Sequence, residues 1–120
     1  MRAYETNYTG LVEFLENPGE FSNRLKDIAR DLRVVLEEYL FVKFPTQWIS
    51  DDWLGGMIGK IRDAEVGARL QACSHLVDDL TQVNDYSKKF HHRSNGFTGS
   101  IPDATELKSY VSQTLDIISR

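Results

Sequence analysis

Phe21-Ser22-Asn23-Arg24-Leu25-Lys26-Asp27-Ile28-Ala29-Arg30-Asp31-Leu32-Arg33-Val34-Val35-Leu36-Glu37-Glu38-Tyr39-Leu40 is the stretch that sets the fold class. Phe21, Leu25, Ile28, Leu32, Leu36, Tyr39 and Leu40 recur at three and four residues over roughly five turns, the spacing that lines one face of an α-helix. This second helix must stop by Phe44, because Pro45 disfavours helical geometry in the residue before it.

The same reading extends to both sides. Tyr8, Leu11, Phe14 and Leu15 predict a short first helix, closed by Asn17-Pro18-Gly19. Ser50-Asp51-Asp52 offers N-cap oxygens to a third helix carrying Trp53, Leu54, Met57, Ile58 and Ile61, which Gly55, Gly56 and Gly59 weaken or open to a close neighbour. Leu70, Cys73, Val77, Leu80, Val83, Tyr86 and Phe90 predict a long fourth helix ending near Asn95-Gly96. Asp103 and Glu106 form a capping-box-like pair before a fifth stripe of Leu107, Tyr110, Val111, Leu115 and Ile118. No segment alternates like a strand. The expectation is a single all-α domain over residues 1–120. It is a bundle of about five helices with the second and fourth, long and antiparallel, at its centre and Leu32, Leu36, Val77 and Leu80 in the core.

Composition narrows the class of function. Of 120 residues, 41% are hydrophobic and 27% charged, values of a globular fold able to bury a core without staples. A net charge of −4 argues against a surface that grips nucleic acid all over, and leaves a local patch open. Cys73 is the only cysteine, so it forms no internal disulfide and no thiolate metal cluster, and a buried inert thiol is expected. No apolar run is long enough to span a bilayer and the N-terminus lacks a signal-peptide core, which points to the cytoplasm and no membrane. Neither a cofactor nor a metal is expected. Gly55-Gly56-Met57-Ile58-Gly59-Lys60 fails as a phosphate loop, with Leu54 at the first glycine position and Ile61 at the metal-binding hydroxyl. Asp51-Asp52 and Asp78-Asp79 are neighbours about 100° apart on a helix, suited to capping and solvated surface.

The least ordinary stretch is Tyr86-Ser87-Lys88-Lys89-Phe90-His91-His92-Arg93-Ser94-Asn95, cationic within an acidic chain. Cations suit a helix C-terminus, which explains the charges and not the histidine pair. As a functional site, Lys88, Lys89, Arg93 and Asn95 would hold phosphate or another anion, and a protonated His91 or His92 could donate a proton to a leaving oxygen. Arg33 and Glu37 lie four apart at the edge of the second helix's stripe, either a surface ion pair or a pair facing those histidines.

Several of these segments together resemble a known group. Arg33-Val34-Val35-Leu36-Glu37-Glu38-Tyr39-Leu40-Phe41-Val42-Lys43-Phe44-Pro45, Trp53-Leu54-Gly55, Asn84-Asp85-Tyr86-Ser87-Lys88-Lys89-Phe90-His91-His92 and Glu106-Leu107-Lys108-Ser109-Tyr110-Val111 occur in that order. They look like the C-terminal helical region of bacterial AAA-family ATPases with an ABC/SMC-like head. That group includes the RloC- and PrrC-like anticodon nucleases of phage defence. The resemblance implies a C-terminal part of a larger ATPase, with the ATPase head as partner, a homodimer, and tRNA or other RNA as a further partner. Some members are similar to HEPN ribonucleases, which use an Arg-x-x-x-Glu pair and a downstream histidine. Arg33 and Glu37 match that pair, and His91 or His92 is the candidate histidine. Arg69 and His75 also form an R-x5-H pattern, but six residues turn an α-helix by about 240°, which parts them.

Two functions follow from these readings. The first is an accessory domain of a defence-type ATPase for assembly or partner recognition. The second is a metal-independent ribonuclease with His91, His92, Arg33 and Glu37 catalytic. For the second, antiparallel packing sets the end of the fourth helix near Phe21 and Arg24, roughly 13 Å of helix rise from Arg33.

Overall fold

A computed structural model describes residues 2–49, 52–90 and 101–119. Five α-helices follow one another: α1 (Arg2–Glu16), α2 (Leu25–Lys43), α3 (Leu54–Arg62), α4 (Val77–Lys88) and α5 (Ala104–Ile118). Two 3-10 segments, Pro18–Phe21 and Arg69–Leu76, join α1 to α2 and lead into α4. No strand occurs among the described residues. The chain is an all-α bundle.

α2 is the hub, packed against α1, α3, α4 and α5. It ends where Pro45 demands: Phe44 is the C-cap, and its N–H returns to the Leu40 carbonyl. Leu32, Leu36 and Leu80 are wholly buried, as their spacing predicts, while Val77 at the start of α4 is only partly covered. α2 and α4 run antiparallel and come close because small residues meet. The buried Ser87 hydroxyl donates to the Ala29 carbonyl at 2.6 Å, which satisfies a polar group that water cannot reach.

α5 begins at the expected cap, Asp103 accepting from the Glu106 N–H at 2.9 Å. It lies against α4, where Tyr86 and Tyr110 stack with centroids 4.0 Å apart and planes at 11°. Burial pushes the Tyr86 hydroxyl's pKa upward, with Glu106, Tyr110 and Asp103 adding to it. The buried line of α5 is Leu107, Val111, Thr114 and Ile117, with Tyr110, Leu115 and Ile118 at its border. Thr114 sinks inward because its hydroxyl donates to the Tyr110 carbonyl one turn back, at 2.9 Å.

Three expectations about the elements need correcting. The second helix begins at Leu25, not Phe21, whose buried ring instead ends the 3-10 turn and meets Phe14 edge-on. The fourth is not one long α-helix. Leu70, Cys73 and Leu76 are buried at a strict spacing of three, the repeat of a 3-10 helix, and α geometry starts only at Val77. α4 then stops at Lys88, and Asn95-Gly96, the expected end, lies outside the described residues.

Candidate functional site

The predicted pair sits in the middle of α2 beside the start of α3. Arg33 Nε and Glu37 Oε2 are 3.6 Å apart, one helical turn along α2, and both side chains are largely covered. α3 has no cap of its own, since Trp53 occupies the N-cap without a side-chain bond. Glu37 supplies one from the neighbouring helix, accepting the Leu54 N–H at 2.8 Å. A carboxylate there also meets the positive end of the helix dipole. Burial holds the Glu37 carboxyl above its usual range, against the pull of the Leu54 N–H and of Arg33.

Arg33 works in the other direction, toward solvent. Its guanidinium carbon lies 5.2 Å from the centre of the Trp53 ring, and its Nε is buried without a hydrogen bond. Trp53 itself is 64% exposed. It was expected in the apolar stripe of the third helix, but as the N-cap it precedes the helix and turns outward. The other tryptophan, Trp48, is buried and donates to the Leu40 carbonyl at 2.9 Å. Asp52 does not cap α3 either. It accepts the Ile49 N–H at 2.8 Å and Lys60 Nζ at 2.8 Å, and those two bonds lower its pKa. Ser50 and Asp51 lie outside the described residues.

The basic stretch is described only in part. Lys88 pairs with Asp85 at 3.3 Å on the surface, and Lys89 lies 5.8 Å from the centre of the Tyr86 ring. His91, His92, Arg93 and Asn95 lie outside the described residues. The end of α4 falls elsewhere than antiparallel packing of a longer helix predicts. Arg30 Nε donates to the Phe90 carbonyl at 2.6 Å, so the chain after α4 meets α2 about 4.5 Å of rise from Arg33 rather than at Arg24. The cause is the early stop at Lys88, which leaves α4 short of the start of α2.

Arg69 and His75 belong to the 3-10 segment, where six residues complete two turns, so the two exposed side chains share a side after all. Cys73 is buried, and desolvation raises its thiol's pKa. A groove of about 480 Å³ between α1 and α2 is lined by Asn7, Glu13, Phe21, Arg24, Asp27 and Asp31 among others. There burial, and then the neighbouring Asp27, push Asp31 up to about 6. Among the described residues no group of three or more His, Cys, Asp or Glu could hold a metal ion, and no helix is long and apolar enough to cross a membrane.

No protein-family model, curated protein or solved structure matches the chain.

The residue that reading by spacing missed is Trp53. The signal was present in its surroundings: it follows two aspartates and precedes Gly55-Gly56, so it stands at a helix start rather than within a stripe.

Proposed function

We propose that this chain is a helical contact module, an accessory cytoplasmic domain through which a bacterial defence-type ATPase assembles or recognises a partner. One observation supports the contact role: Trp53 is mostly exposed yet held in place, with Arg33 against its ring and Glu37 clamping the helix start beneath it. Tryptophan and arginine dominate binding energy at protein interfaces, and a side chain ordered beforehand loses little entropy on docking. The ATPase parent rests on the sequence resemblance alone.

Photocrosslinking from position 53, in cells that make the chain, tests this reading. Adducts with a nucleotide-binding ATPase polypeptide, or with the chain itself, are the expected result. Adducts with RNA alone would overturn it.

One observation favours the ribonuclease as a second reading. The Phe90 carbonyl, immediately before His91 in sequence, is held by Arg30 one turn from Arg33. Against it, the Glu37 oxygen nearest Arg33 is already engaged by the Leu54 N–H. Incubation with tRNA in chelator should leave the RNA intact. Cleavage that disappears in His91→Ala or His92→Ala would instead put catalysis first.

A further inference from the structure

We draw no further inference here: the strongest candidate, the groove between α1 and α2 where Glu13, Asp27 and Asp31 gather beside Phe21 and Arg24, is a cluster of acidic side chains, and no second feature among the described residues points to a ligand for it.

Discussion

Leu36 has no solvent exposure and lies where α2 faces its neighbours, so truncating it removes apolar contact and leaves a cavity. Leu36→Ala should cost about 2–5 kcal/mol in chemical denaturation, and a loss below about 1 kcal/mol would contradict a packed position for this side chain. Glu37 carries a different kind of weight. Glu37→Ala removes the cap on Leu54 and the ion partner of Arg33, and should cost about 1–2 kcal/mol while making the Trp53 emission more mobile and more readily quenched. Asp31 gives a pH signature. Its pKa rises on folding from 3.8 to about 6, so between those values the folded state binds the extra proton and stability falls as pH rises. The group is half exposed, so solvent screening reduces the effect to roughly 1 kcal/mol. Asp31→Asn should therefore stabilise the chain at neutral pH and flatten its stability between about pH 4 and 6; a mutant curve parallel to the wild type in that window would refute this. At this scale the sequence was legible wherever a residue's fate follows from helix period, as with Leu32, Leu36 and Leu80. For Arg33 and Glu37 the ion pair itself was legible from a spacing of four, but the further groups they serve were not, because Trp53 and the Leu54 N–H stand at the start of another element and that spacing does not point across the gap.

Among the elements, α3 carries three glycines in nine residues, which weaken it as a helix. Gly59→Ala adds a methyl group in open space and should stabilise the fold by about 0.5–1 kcal/mol in chemical denaturation. Destabilisation would show that the backbone there needs glycine. The α2 and α5 boundaries were readable because proline and aspartate act on the backbone beside them: Pro45 stops one helix and Asp103 starts the other. The α4 region departs from its spacing for an equally local reason. Leu70, Cys73, Leu76 and Val77 satisfy a three-four pattern if Leu76 is passed over, and only the strict triplet Leu70-Cys73-Leu76 marks the tighter 3-10 turn. α3 was expected to be capped by Ser50, Asp51 or Asp52, whereas Asp52 turns to Ile49 and Lys60 and the cap comes from α2. A cap delivered from another element has no local sequence signature.

At the scale of the whole molecule, the bonds from Ser87 to Ala29 and from Arg30 to Phe90 tie segments far apart in sequence onto the central helix. α2 touches every other helix, so no peripheral helix should melt far ahead of the rest, and thermal unfolding should be a single transition with the same midpoint by ellipticity and by fluorescence. Separated midpoints would divide the bundle into independent parts. The two tryptophans make such measurements unusually informative. Trp48 is sealed in the core with its indole N–H bonded to a carbonyl, and Trp53 stands in water against a guanidinium. The chain thus carries two optical probes of opposite character, five residues apart in sequence. Emission from Trp48 should be blue-shifted and slow to quench by acrylamide, and should move to the red only when the core opens. Emission from Trp53 should begin red and quench readily, and should shift to the blue when its ring is covered. With either tryptophan replaced by phenylalanine, one colour change reports unfolding and the other reports occupancy of the surface, with no added label.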